Sequence, residues 1–267
     1  MQASATPSSS ALPLLRRWVV DYFNRHDAAA CAVFVAPDYA LRIGDVTFAG
    51  RDEQWLPAVD AQMKLFPGLG MTVHQTLAGE DWAAAWFSEH GASNGRVAVW
   101  SGVAIYRSDG ERLTHCVAQE DYMTRQRQLK SGVADAVDPP AAAPWDTPVL
   151  PSDRAAENVA RDWLSASWPT DVSGVRCDDE HIIRAPLRFE VTAVEIDTLV
   201  SSGPDVAFHA RQTGVYLGGL PGLDASRRTA TIHTNGIVRV AEGRVRSGRV
   251  IRDRVGLRAA LRKAASR

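Results

Sequence analysis

The two halves of this chain end in the same way, and this repeat constrains the fold more than any other feature. Ile105 to Leu129 reads IYRSDGERLTHCVAQEDYMTRQRQL, and Ile237 to Leu261 reads IVRVAEGRVRSGRVIRDRVGLRAAL. A constant offset pairs Ile105 with Ile237, Arg107 with Arg239, Arg112 with Arg244, Asp121 with Asp253 and Leu129 with Leu261. In each copy a strand enters an acidic-glycine turn, a second strand follows, and an aspartate precedes a short amphipathic segment. The spacing far exceeds a solenoid unit, so it predicts two copies of one domain. A length of 267 residues accommodates two modest domains, each with its own core.

Apolar residues make up 45% of the chain and charged residues 23%, as in ordinary globular proteins. The formal net charge of -1 gives no overall attraction to nucleic acid or to acidic membranes. Cations nevertheless gather after Arg239, where two readings stand, a solvated outer strand and helix or an anion-binding face. Cys31, Cys116 and Cys177 have no metal-ligand spacing and leave one thiol odd, which fits a reduced, cytoplasmic setting. The opening MQASATPSSSALPLLRR has neither a basic n-region nor a long apolar h-region, so no signal peptide is expected, nor any membrane span.

Helical spacing of Leu15, Val19, Tyr22 and Phe23 predicts a first helix over 12–26, after a disordered leader at 1–10. A second short helix, a hairpin around Gly44-Asp45 and a third helix over 52–66 follow. Strands are expected at 71–77, 82–90, 96–106 and 112–121. Residues 131–151, rich in Pro and Ala, read as an extended linker between domain 11–130 and domain 152–265. The second domain opens with a helix over 154–168 and continues with strands at 188–199, 206–213, 228–240 and 244–253. It has room for only one short strand between Trp168 and Pro186, so it lacks most of the early hairpin and the third helix.

Helices followed by a long antiparallel sheet imply an α+β fold. FNRHDAAACAVFVAPDYAL resembles the opening of the SnoaL-like polyketide cyclases, and FPGLGMTVHQTLAGEDWAAAWFSEHG resembles that family's Phe-Pro-Asp-Leu strand pair. In the second half, GVYLGGLPGLDASRRTATIHTNGIVRVAEGRV and DRVGLRAAL are similar to its hairpin and its terminal helix. The resemblance implies two cone-shaped domains of the nuclear transport factor 2-like superfamily. In each, a curved sheet carries helices on its concave face, and the second copy is shortened. It also implies an intrachain pseudo-dimer packed sheet to sheet, with further homo-oligomerisation open. The superfamily holds both enzymes and non-catalytic binding domains, so the fold alone does not choose a function.

The resemblance nominates Asp121, and its repeat partner Asp253, as acid/base groups; desolvation in an apolar cone would raise such a carboxyl toward a useful pKa. Capping of the following helix is the competing reading. His115 and Gln119 share the strand face of Asp121, with a structural histidine as the alternative. Substrate-contact candidates are Tyr22, Asp45, Trp86 and Trp100. For these the alternatives are core packing for Tyr22, a plain turn for Asp45, and core or interface for the tryptophans. The histidines show no ligand spacing, no glycine-rich phosphate loop follows a strand, and no serine or cysteine nucleophile motif is present. Neither a metal nor an organic cofactor is therefore expected.

Two function classes remain. One is a cofactor-free acid/base enzyme acting on a hydrophobic small organic molecule by isomerisation, aldol-type cyclisation or cleavage, or dehydration. The other is a non-catalytic small-molecule binder or assembly scaffold.

Overall fold

The computed structural model describes residues 11–166 and 173–265. The expected leader at 1–10 and the end of the helix at Trp168 lie outside the described residues. The first half begins with α1 (Leu12–Arg17), which widens into a π-turn at Trp18–Tyr22. Then come α2 (Cys31–Phe34), β1 (Val35–Ile43), β2 (Val46–Ala49) and α3 (Leu56–Leu65). β3 (Gly70–Ala78), β4 (Trp82–Ser93), β5 (Arg96–Ser108), β6 (Leu113–Glu120) and α4 (Tyr122–Ser131) complete it. The strands form one sheet in the order β2-β1-β6-β5-β4-β3.

The second half has α5 (Arg154–Ala166), β7 (Val175–Cys177), α6 (Glu180–Ile183), β8 (Arg188–Ser202), β9 (Asp205–Gly218), β10 (Thr229–Ala241), β11 (Arg244–Arg252) and α7 (Arg254–Ala265). Its sheet runs β7-β11-β10-β9-β8. The three-residue β7 stands where β1 stands in the first sheet, and among the described residues nothing corresponds to β2 or α3. The sheets are mixed where the sequence suggested antiparallel: β1 lies parallel to β6, and β7 parallel to β11. β1 is separated from its partner β6 by β2, α3 and three further strands, and β7 from β11 by α6 and three strands, and such long connections permit parallel pairing.

The concave face of the first sheet packs Leu15, Trp18, Val19, Phe23, Tyr39, Trp55, Phe87 and Tyr106 into one core with the early helices. In the second, α5 lays Ala156, Ala160 and Leu164 on Val206, Phe208 and Ala210. The two sheets meet through their other faces. Trp82, Ala84, Val103, Ile105 and Val117 pack there against Ala207, Ile237 and Ile251.

Residues 131–151 do not hang free as a spacer. Ala141 donates its main-chain N–H to the Val73 carbonyl, Thr76 donates its hydroxyl to the Pro144 carbonyl, and Trp145 packs on the first core.

Candidate active site

A cavity of about 120 Å³ lies inside the first cone, between the sheet and the early helices. Its volume is near the roughly 150 Å³ of an apolar cavity that takes benzene. Aromatic rings from Trp18, Phe23, Tyr39, Trp55 and Tyr106 wall it. β4 and β6 each turn one carboxyl into this apolar surround, Glu89 and Glu120. Strand alternation explains the placement, since Glu89 follows the buried Phe87, and Glu120 follows Cys116 and Ala118, on the same faces. Gly102, opposite Glu120 on β5, leaves space for the Phe87 ring; a Cβ there would lie 2.3 Å from Phe87 Cζ.

Burial raises the Glu120 pKa above the usual carboxylate range. The Trp100 indole N–H, which donates to Glu120 Oε2 at 2.8 Å, opposes the rise, as do the nearby Arg125 guanidinium and the Tyr122 hydroxyl. Glu89 rises further, first through burial and then through the neighbouring Glu120 charge, with Arg125 and the amide of Gln62 opposing. Gln62 Nε2 donates to Glu89 Oε2 at 2.7 Å. The hydrogen bond between the two carboxyls pushes Glu89 up and Glu120 down. Two carboxyls so close cannot both ionise cheaply, and the pair therefore offers an acid and a base at one spot. Arg125 lies over the rings of Tyr122 (4.3 Å), Trp100 (5.0 Å) and Phe66 (5.2 Å), and its cation acts on both carboxyls from there.

Of the residues nominated from sequence, Trp100 is the one the structure joins to this pair. Asp121 is buried but lies outside the cone's lining, in a small polar cavity between the two domains. Its carboxylate caps α4, accepting from Thr124 N at 3.1 Å and from Thr124 Oγ1 at 2.6 Å, and it pairs with Arg254 at 2.5 Å. Asp253 repeats the cap, accepting from Gly256 N at 2.8 Å. His115 is largely exposed and is not among the partners of Asp121. Gln119 is buried on the sheet face turned to the second domain. Trp86 shares that face, its ring tilted at 41° against His74 and beneath Arg176. Asp45 sits at the β1–β2 turn and accepts from His233 of the second domain at 2.8 Å. Tyr22 packs on Trp55 in the first core, its hydroxyl held neutral by burial.

Strand parity grouped His115, Gln119 and Asp121 correctly, but their face looks away from the cone. The signal available for Glu89 and Glu120 was a lone acid on an otherwise apolar strand face.

The repeat permits a position-by-position comparison. The offset that pairs Ile105 with Ile237 places Arg252 at the position of Glu120, and Gly102 pairs with Glu120 as Thr234 pairs with Arg252. Trp100 pairs with Glu89 as Ile232 pairs with Gln212, so Gln212 stands for Glu89. The carboxyl pair of the first cone thus becomes an amide and a guanidinium in the second. Arg252 is wholly buried, with Nε donating to Asp178 Oδ2 at 2.7 Å and a further ion pair to Glu180.

A comparison with known families matches residues 15–116 to the SnoaL-like domain and residues 181–261 to the SnoaL-like polyketide cyclase domain. The chain belongs to the SnoaL-like family and carries two of its domains in tandem. Among solved structures, wild-type IdmH from Streptomyces antibioticus is 20% identical over 44% of this chain and 96% of its own, with a TM-score of 0.41. A SnoaL-like protein from Jannaschia sp. CCS1 is 12% identical over 49% of this chain and 98% of its own, with a TM-score of 0.43. An LEH-like epoxide hydrolase from M. tuberculosis is 12% identical over 46% of this chain and 90% of its own, with a TM-score of 0.40. A search of curated proteins returns no match. No helix among the described residues is long and apolar enough to cross a membrane.

Proposed function

We propose that the first cone catalyses a cofactor-free proton transfer on a small, hydrophobic, uncharged organic molecule, with Glu120 as base and Glu89 as acid. The observation that carries this reading is the pair of neighbouring buried carboxyls at an aromatic cavity. Glu120 removes a proton from a carbon or hydroxyl of the substrate, and Glu89 delivers one to the oxygen on which charge develops. Net chemistry of this kind is an isomerisation, an aldol-type cyclisation or its reverse, or a dehydration. Arg125 balances the single negative charge left on the pair, which favours an uncharged substrate over a cation or an anion.

The second cone is read as non-catalytic. A guanidinium locked by Asp178 and Glu180 stands where the base would be, and its role is to complete the assembly around the first domain. The test is a panel of small enolisable ketones, β-hydroxyketones and epoxides, assayed with the full chain and with Glu120→Gln. Turnover that needs Glu120 supports the proposal. Turnover indifferent to Glu120→Gln and Glu89→Gln overturns it.

A further inference from the structure

A second concave site lies outside both cones, where α4 faces α7. It is a groove of about 600 Å³, within the roughly 300–1,000 Å³ span of small-molecule sites. Five cations line it: Arg127 and Lys130 from α4, and Arg254, Arg258 and Arg262 from α7. Asp179 is the one carboxylate in its lining. The spacing sets the cations in two stripes, i and i+3 on α4, and i, i+4 and i+8 on α7. Neither helix contains a single Asp or Glu, in a chain whose formal net charge is -1.

Arg127 pairs with Asp135 and Asp179, and Arg254 pairs with Asp121, Asp178 and Asp179. No ion pair is formed by Lys130 or Arg258 among the described residues; Arg258 donates only to the amide oxygen of Gln126, at 2.7 Å. Arg262 reaches across the groove to the Gly222 carbonyl. The helix dipole favours Arg262 near the end of α7, but it gives no reason for Arg258, one turn after Arg254. Like charges at i and i+4 destabilise a helix when nothing compensates them.

We propose that this groove binds a phosphorylated small molecule. Its phosphate oxygens would lie between Lys130, Arg258 and Arg262, where guanidinium forks match a tetrahedral oxyanion. Met123, Ile183 and Pro221 form an apolar floor for the organic portion. The site is distinct from the cone and rests on none of the residues given a role there.

The test is calorimetric titration of the full chain with inorganic pyrophosphate at constant ionic strength, beside the Lys130→Gln/Arg258→Gln double variant, whose changes are at surface positions. The expected result is saturable binding of one pyrophosphate per chain, weakened about tenfold or more in the double variant through loss of two charge-assisted contacts. A parallel arm measures co-sedimentation with phosphatidylglycerol vesicles. Equal affinity in both proteins, no binding at millimolar pyrophosphate, or binding to vesicles alone would overturn the proposal, the last by making this face a membrane contact.

Discussion

Asn235 donates its side-chain amide to the main-chain carbonyl of Val103 at 3.0 Å, and Val103 is its own counterpart in the other half of the chain. Counterparts touch only beside a two-fold axis. Gln126 and Arg258, also counterparts, meet at 2.7 Å, so the line through both contacts approximates that axis. The chain encloses an isologous interface of the kind that otherwise joins two subunits. Around it lie the Arg42–Asp197 pair at 2.6 Å, the His233–Asp45 contact and the Arg254 cluster.

Replacing Arg254 with Met leaves Asp121, Asp178 and Asp179 without their shared cation in a buried place. Removing one partner of such a cluster costs about 3–5 kcal/mol. The denaturation midpoint in urea should fall accordingly. Asn235→Ala, which removes the side-chain bonds to the Val103 and Val117 carbonyls and the partner of the buried His209 ring, should cost about 1–3 kcal/mol.

Glu120→Gln keeps the shape of the side chain and removes the base. Turnover on a substrate found for the first cone should drop by about two or more orders of magnitude, with an unchanged circular dichroism spectrum and urea midpoint at pH 7 no lower than that of the parent.

Asp121 and Asp253 behave differently from Glu120. Asn is as good a helix cap as Asp, so Asp121→Asn loses chiefly the Arg254 pair, whereas Asp121→Ala loses cap and pair together. The alanine variant should be the less stable of the two by about 1 kcal/mol. Activity of the folded asparagine variant should stay within a few-fold of the parent.

The carboxyl pair also writes a pH signature on stability. Both groups have folded pKa values above their unfolded ones, so the native state binds more protons than the unfolded chain between those values. Their contribution is most favourable below the unfolded Glu pKa of about 4.3 and is lost as pH rises through the folded values. Glu89→Gln removes the group with the larger rise. Thermal melts from pH 5 to 9 should show a shallower decline in this variant, with higher stability than the parent at pH 8.

His209 acts in the opposite sense. Burial at the domain interface takes it from its ordinary 6.5 to about 4, so it is neutral in the folded protein. The unfolded chain binds its proton first, and the associated stability, full above pH 6.5, is lost as pH falls toward 4. His209→Gln should flatten the acid limb of the stability curve.

The repeat, the order of the elements and most strand positions were legible because each rests on local periodicity or on self-comparison. The pairing of Asp121 with Asp253 is seen directly, down to main-chain bonds from Asp121 N to the Ser101 carbonyl and from Asp253 N to that of His233. The site was less legible. Alternation says which residues share a face, and it placed His115 with Asp121; it says nothing about which face curves inward, and that depends on where α1 and α3 dock. A step of one residue, from Asp121 to Glu120, separates a helix cap from a buried carboxyl. The Pro- and Ala-rich linker has no period, so Trp145 was its one sign of a contact, and that ring packs on the first core.

Two identical subunits must carry identical pockets, whereas two halves of one chain need not. Replacement of the Glu89/Glu120 pair by Gln212 and Arg252 exploits that freedom, and it fixes a stoichiometry. A tight inhibitor of the first cone would titrate one equivalent per polypeptide, half the occupancy of a symmetric dimer of the same bulk.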